Sequence, residues 1–350
     1  TNYPVILVVS TPKEENQIIS AVDITDKAVI KANELEEILL LIRKQKQEIK
    51  GIDFLEINQN NLSTDKWQIV SKEKESILKK IKENGKPLYP EFADDVIIGM
   101  RTGYNEAFFV DSPENFEEGL VKKVVTGKDV EPFAIKNPKY CLYPNGKDAR
   151  LIPRTIKHLT KFKNTLENRA QFKQRKDMQW FEIEQPVSPE KFGKPKILTP
   201  AISEKSSFYF DDNGLFCFDS CNMIFLKSKK KEEAYYIVGL LNSNLIFFYL
   251  TSYSPYVQAK YFTYKPQYLK PMPIVAFNEK NPACVKIVGL SKQLHAIYKK
   301  SNKQEQKELE KTTKDIHKQI DSLVFDLYGL SIEERKIIEF AVESDSKKKD

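Results

Sequence analysis

The residue types that could carry chemistry are few in this chain and far apart. Its three histidines, His158, His295 and His317, lie in lysine-rich stretches with helical spacing. That is the setting of solvated surface imidazoles, not of a paired acid and base. The cysteines are Cys141, Cys217, Cys221 and Cys284, and only "CFDSC" (217–221) brings two together. Three intervening residues, with no histidine or second pair nearby, make a poor zinc site, so reduced and buried thiols are expected and no metal. No Gly-x-Ser-x-Gly elbow, His-Glu-x-x-His helix or dinucleotide glycine fingerprint occurs. The stretch "IIGMRTGYNEAFFVD" (97–111) spaces Gly99 and Gly103 like a phosphate cradle, with Arg101 to supply charge. A nucleotide loop would end in Gly-Lys-Ser/Thr, whereas Tyr104 and Asn105 follow here. The expected backbone is strand, glycine turn, strand, with Arg101, Tyr104 and Asn105 carried on the turn.

One tetrapeptide, "NPKY" (137–140), is similar to the Asn-Pro-Pro-Tyr loop of amino-methyltransferases. In those enzymes the asparagine and a proline carbonyl hold the target amine, and the aromatic ring stacks on a base turned out of the helix. Lys139 stands where the second proline belongs and puts a charge into a loop that must be dry. With no glycine-rich cofactor loop before it, the tetrapeptide reads as a surface turn, and no catalytic residue is assigned.

Charge is the stronger signal. The chain of 350 residues is 41% hydrophobic and 11% aromatic, which excludes a disordered polymer, and its net charge of +7 favours an anionic partner. Between Arg154 and Lys176 stand eight cations, Arg154, Lys157, Lys161, Lys163, Arg169, Lys173, Arg175 and Lys176, against one acid, Glu167. Cations at that density could neutralise several phosphates. A second candidate is "TSYSPYVQAKYFTYKPQYLKPMPI" (251–274), where Tyr253, Tyr256, Gln258, Lys260, Tyr264 and Lys265 mix rings with amide and ammonium tips. Such a mixture can pack on bases and read their edges. Each stretch taken singly reads equally well as a solvated helix face or a tyrosine-rich strand edge; together they favour nucleic acid. No apolar run reaches the roughly 20 residues needed to cross a bilayer, and no signal peptide is recognisable, so a cytoplasmic setting without a membrane partner is expected.

These residues must be positioned by a mixture of elements. Leu35, Ile38, Leu39 and Ile42 recur at helical spacing, and "KESILKKIKENG" reads as a helix stopped at Gly85. Strand-like runs follow in "DDVIIG", "EAFFVD", "GLVKKVVTG", "KPKILTPAI", "SFYFDD" and "GLFCFDSCNMIFLK". One basic helix is expected over 152–176, a hairpin at Asn213-Gly214, and one long helix over 232–251. Toward the C-terminus Leu309, Ile316, Ile320, Leu323 and Leu327 trace a helix face, Gly329 ends that helix, and Ser331 with Glu334 forms a capping box for the next. The expected fold class is α+β: a mixed-sheet lobe with helices, followed by a helical C-terminal lobe.

Six motifs then occur in order: "IIGMRTGYNEAFFVD", "VVTGKDVEPF", "KPKILTPAISEKSSFYFDDNGLFCFDSCNMIFL", "IVGLLNSNLIFFYL", "YLKPMPI" and "IDSLVFDLYGLSIEE". That succession resembles the C-terminal specificity (target recognition) domain of TaqI-like and Eco57I-like adenine-N6 DNA methyltransferases and type IIG restriction-modification enzymes. The opening "TNYPVILVVS" resembles the last strand of the methyltransferase domain that comes first in such enzymes, so the chain is expected to begin inside a larger protein. The resemblance implies three parts. Residues 1–60 are the tail of an upstream methyltransferase domain with a connecting helix, 61–280 the DNA target-recognition domain, and 281–350 a helical C-terminal region. It implies sequence-specific recognition of double-stranded DNA within a bacterial enzyme. S-adenosylmethionine would belong to the absent methyltransferase domain, which is itself an expected partner, and this chain would hold no cofactor. The turn at 99–105 resembles the first turn of the specificity domain, with the two glycines for tight backbone and Arg101, Tyr104 and Asn105 toward DNA. Lys128 of the "GKD" turn is a further phosphate candidate. The competing readings are a diverged methyltransferase with its pocket at Asn137 to Tyr140, and a protein-interaction module built on the C-terminal helices.

Overall fold

A computed structural model describes residues 18–24, 52–58, 71–257, 261–300 and 309–347. The "YPVILVVS" strand and the helix around Leu35 to Ile42 lie outside the described residues. The chain divides into two compact units, Thr1–Ile81 and Lys82–Asp350. In the first, β1 (Ile18–Ile24) pairs antiparallel with β2 (Ile52–Asn58), residue 18 opposite 58. The helix α1 (Lys72–Asn84) begins there and ends one residue before Gly85, buries Ile77, Leu78 and Ile81 on one face, and has Ser71 Oγ accepting from Lys74 N at 3.3 Å.

The second unit is built on two four-stranded sheets. Along the chain its main elements are β3 (Ala93–Ile98), α2 (Asn105–Phe108), β4 (Phe109–Val110), β5 (Val121–Val125) and β6 (Lys139–Leu142). Three short helices follow, α3 (Pro153–Thr160), α4 (Lys163–Glu167) and α5 (Ala170–Gln174). Then come β7 (Lys196–Pro200), β8 (Tyr209–Asp211), β9 (Phe216–Cys217) and β10 (Cys221–Leu226). One sheet has the order β8-β7-β10-β3 and is antiparallel throughout. The other, β9-β5-β6-β4, is mixed, because β9 runs parallel to β5. Central strands β7 and β10 are buried on both faces, which is why their sequences read as nearly continuous apolar runs rather than alternating ones.

The Asn213-Gly214 turn forms, with Gly214 at φ +73°, yet it makes no hairpin. Strand β8 pairs with β7, whereas β9 leaves for the second sheet. Asp211 decides this geometry: its carboxylate accepts from Asn213 N at 3.0 Å and Leu215 N at 2.9 Å. It also meets Lys196 Nζ at 2.6 Å, with both side chains fully buried. That ammonium gains a second acceptor in Phe192 O at 2.6 Å, so the pair is hydrogen-bonded as a buried ion pair must be.

The expected long helix is two, α6 (Lys231–Leu241) and α7 (Asn244–Thr251), bent by 60°. The break falls at Ser243, extended at φ −75° and ψ 154°, just after Asn242, whose side chain exchanges bonds with Phe208 N and O, each at 2.9 Å. Ser243 then caps α7 through Ile246 N at 3.4 Å. Helices α8 (Pro282–Lys300), α9 (Glu310–Leu327) and α10 (Ile332–Lys347) pack against α6 and α7 as the C-terminal lobe. Gly329, at φ +65°, ends α9 as expected: its own N–H donates to Asp326 O and Leu330 N to Phe325 O, the two bonds of a Schellman stop. Both arms of the Ser331–Glu334 capping box are present, at 2.7 and 3.3 Å. The fold is therefore α+β, a mixed-sheet lobe with helices and a helical lobe after it. Among the described residues no single helix is long and apolar enough to cross a membrane.

Candidate nucleic-acid interface

The turn at 99–105 is built by close backbone approach. Gly99 N donates to Cys221 O, Met100 N to Cys217 O, and Asp219 N to Met100 O, while Arg101 exchanges both backbone bonds with Gln185. A Cβ on Gly99 would stand 2.3 Å from Phe218 O, and Gly103 has φ +80° with a would-be Cβ 2.6 Å from Arg169 Cδ. Both glycines are therefore required by geometry, as expected. The segment after them corrects the expected second strand: Asn105–Phe108 is a single helical turn, and extended backbone resumes only at Phe109. Asn105 Oδ1 accepts from Thr102 Oγ1 at 2.5 Å, and Tyr104 OH donates to Glu106 at 2.6 Å, which pushes the Tyr104 pKa up. Asn105 and Tyr104 thus make bonds inside the turn, and Arg101 is its exposed cation.

The "GKD" turn belongs to the same loop cluster. Thr126 N and Oγ1 both donate to Asp129 Oδ2 at 2.7 Å, closing a 3-10 turn with Lys128 exposed at its tip. Gly127 N donates to Ser220 Oγ at 3.0 Å. The tight turn 218–221 thus fixes the Arg101 loop on one side and the Lys128 loop on the other. Sequence reasoning singles out "CFDSC" for its two cysteines, which are buried free thiols, and misses Asp219 and Ser220, the exposed pair between them.

The basic run 154–176 is not one helix, because Phe162 and Arg169 leave helical geometry and start new short helices. Glu117, reaching in from another segment, starts α3 by accepting from Arg154 N at 2.6 Å and from Thr155 N and Oγ1. Burial raises the Glu117 pKa, but these bonds outweigh it and hold it low. Lys157, Lys161 and Lys173 are exposed and make no ion pair among the described residues. Arg154 lies 3.7 Å from Glu117, Arg175 pairs with Asp177 at 2.9 Å, and Lys163 is shared between Glu167 at 3.6 Å and the Trp180 ring.

Arg169 corrects the expectation of a phosphate contact. Its side chain is buried and donates to Leu166 O at 2.9 Å, Thr102 O at 2.6 Å and Trp180 O at 2.8 Å. Burial pulls its pKa down, and Glu184 with Glu182 pulls it back. Arg169 therefore ties the 99–105 turn to the basic run and has no free donor face to offer DNA. Tyr253 is likewise an anchor: its hydroxyl donates to Tyr268 O at 2.5 Å, its ring packs on Tyr249 and Tyr268, and burial raises its pKa. Tyr264 is fully buried, while Lys265 is exposed just before the helical turn Pro266–Leu269. The Tyr256 side chain, and all of Gln258 and Lys260, lie outside the described residues.

The histidines are not the solvated imidazoles expected. His158 reaches Ala107 O through Nε2 at 3.0 Å, and burial lowers its pKa. His295 stacks on Tyr209 at 5.1 Å, and burial takes His317, against Phe133, down to about 4. Among the described residues no group of three or more His, Cys, Asp or Glu could hold a metal ion. Of "NPKY", Lys139 and Tyr140 are rungs of the β5-β6 ladder, opposite Val124 and Lys123. Asn137 precedes them at φ +42°. The tetrapeptide is a turn running into a strand.

The loops, strands and helices from β5 to the end of the tyrosine-rich stretch match one family model, the TaqI-like C-terminal specificity domain, over residues 122–274. Over these residues the chain is similar to a TaqI-like specificity domain. The chain is similar to the Type II methyltransferase M.BstVI of Geobacillus stearothermophilus, 23% identical over 368 residues that take in 98% of this chain and 58% of that protein. It is also similar to the Type II methyltransferase M.MjaIV of Methanocaldococcus jannaschii, 28% identical over 165 residues, 42% of this chain and 53% of that one. The chain thus spans little more than half the length of these curated relatives. Its fold is shared with the Type IIL restriction-modification enzyme MmeI, solved in complex with DNA, at a TM-score of 0.55 and 15% identity over 85% of this chain and 40% of that one. The Arg101 turn precedes the matched segment, but Cys217, Asp219 and Cys221, whose backbone holds it, lie inside that segment.

Proposed function

We propose that this chain is the DNA-reading portion of a bacterial adenine-N6 methyltransferase or restriction-modification enzyme. In this reading the specificity domain grips double-stranded DNA in the cytoplasm and sets sequence preference, while methyl transfer from S-adenosylmethionine belongs to a methyltransferase domain joined to it. Residues 1–60 are then the tail of that domain, 61–280 the recognition domain and 281–350 a helical support. The observation that carries the reading is the specificity-domain match in a unit with exposed, unpaired Lys157, Lys161 and Lys173 on its basic run. Cations free of internal partners can exchange counterions for phosphates, whereas paired ones must first break their own bonds. Arg154, Lys163 and Arg175 are secondary contributors for that reason, and Lys176, Lys128 and Lys265 are further exposed cations.

The test is anisotropy binding of the chain to a randomised duplex pool at several salt concentrations, with the bound fraction sequenced. Binding that weakens steeply with salt and enriches a short motif containing adenine is the expected result. A chain that ignores duplex DNA at low salt contradicts the reading.

A further inference from the structure

Arg101 is held at its base more firmly than a surface loop requires. Its N–H donates to Gln185 O at 3.0 Å and its carbonyl accepts from Gln185 N at 2.8 Å. The preceding residue is fixed at both backbone atoms, Met100 N to Cys217 O at 2.9 Å and Asp219 N to Met100 O at 2.8 Å. The side chain nevertheless stands 58% exposed. Its Nε lies 3.7 Å from Asp219 Oδ2 and 4.0 Å from Glu184 Oε2, and the terminal nitrogens make no hydrogen bond among the described residues. Glu184 is itself fixed, accepting from Gln171 N at 3.2 Å and sitting in the field of Arg169.

A guanidinium whose stem is fixed and whose Nε is drawn toward two carboxylates presents its remaining N–H groups as a preset fork. Such a fork fits a planar double acceptor, which in duplex DNA is the N7/O6 edge of guanine or a pair of phosphate oxygens. The acidic neighbour separates the two. Asp219 is half-exposed beside Arg101 and would repel a phosphodiester anion, whereas a base edge carries no net charge. Lys128, on the adjoining turn, makes no ion pair among the described residues, the neighbouring Asp129 carboxylate being taken up by Thr126, and suits the backbone instead. We propose that Arg101 reads a guanine edge in the major groove, with Asp219 as its positioning residue. This rests on the DNA-recognition reading above.

The full chain, Arg101→Lys, Arg101→Gln and Asp219→Asn are each taken through selection from the randomised pool, then titrated on the selected duplex and on a scrambled one. Arg101→Lys keeps the charge and loses the fork. It should erase preference at one guanine and weaken the selected duplex about tenfold or more, with the scrambled duplex nearly unchanged. Asp219→Asn should relax the same position and lower the ratio of selected to scrambled affinity while leaving the unfolding midpoint in place. A purely structural Asp219 would not move that ratio at constant stability. An unchanged motif in Arg101→Lys overturns the proposal. So does an equal loss on both duplexes in Arg101→Gln with a flatter salt slope, which assigns Arg101 to a phosphate. A wild-type chain that binds without enriching any motif overturns the proposal and leaves DNA binding standing, whereas no binding at all removes both.

Discussion

The glycine turn at 99–105 and the basic run at 154–176 both read in sequence as surfaces for an anionic partner, and they are built in opposite ways. In the turn, backbone bonds and two glycines set the shape, and one cation, Arg101, is left outside. In the run, short helices expose a series of lysines, and one cation, Arg169, is taken inside to bond the carbonyl of Thr102. The difference teaches that cation density in sequence measures neither availability nor role. A lysine on a short exposed helix has no internal competitor for a phosphate. An arginine that caps three carbonyls belongs to the interior that shapes the loop.

The comparison breaks most sharply at Arg169. Arg169→Ala leaves the Thr102, Leu166 and Trp180 carbonyls without their donor and should destabilise the chain by about 3 kcal/mol or more, read as a fall in the urea midpoint. Arg169→Lys should recover little, since one ammonium cannot span the same three acceptors. Next come Gly99→Ala and Gly103→Ala, each expected to cost about 1–3 kcal/mol by backbone overlap or by forcing a side chain to φ +80°. Thermal unfolding checks both, and a neutral Gly103→Ala would mean the turn is looser than the bonds of residues 99–101 imply.

A smaller effect on stability, and a larger one on binding, is expected from Lys157, Lys161 and Lys173 changed together to Gln. The unfolding midpoint should shift by no more than about 0.5 kcal/mol, while affinity falls alike on all sequences and the salt slope flattens by about 0.9 for each phosphate no longer neutralised. An unchanged slope would remove the basic run from the footprint. The smallest effect is set by pH. His158 ties the basic run to the helical turn Asn105–Phe108 through Ala107 O, and its pKa is lowered in the fold by burial. The unfolded chain therefore takes up the proton first, so the contribution of His158 is complete above about pH 6.5 and declines as pH falls below it. His158→Gln should flatten that part of the stability profile in urea titrations from pH 7 to 5.

The parts of this protein legible from its sequence are those fixed by neighbours in the chain. The stop at Gly329, the Ser331–Glu334 box and the end of α1 before Gly85 depend on residues a few positions apart, and all are present. The glycine spacing at Gly99 and Gly103 is legible too, although the atoms that require it belong to Phe218 and Arg169, far along the chain. The α+β class followed from the same local signals, and the order of six motifs was enough to point to the specificity domain. What tertiary structure decided were the partners across long separations. Asn213-Gly214 turns the chain, but Lys196 and the second sheet determine that it joins two sheets instead of closing a hairpin. The helix-forming run is split at Ser243, beside Asn242, whose side chain is bonded to the backbone of Phe208, 34 positions away. Arg169 is a cation by sequence and an interior bond by position, 67 residues from the carbonyl it serves. Propensity and capping act over one or two turns of chain. Burial and the pairing of charges depend on which distant segments the sheets bring together, and a sequence read locally contains no measure of that distance.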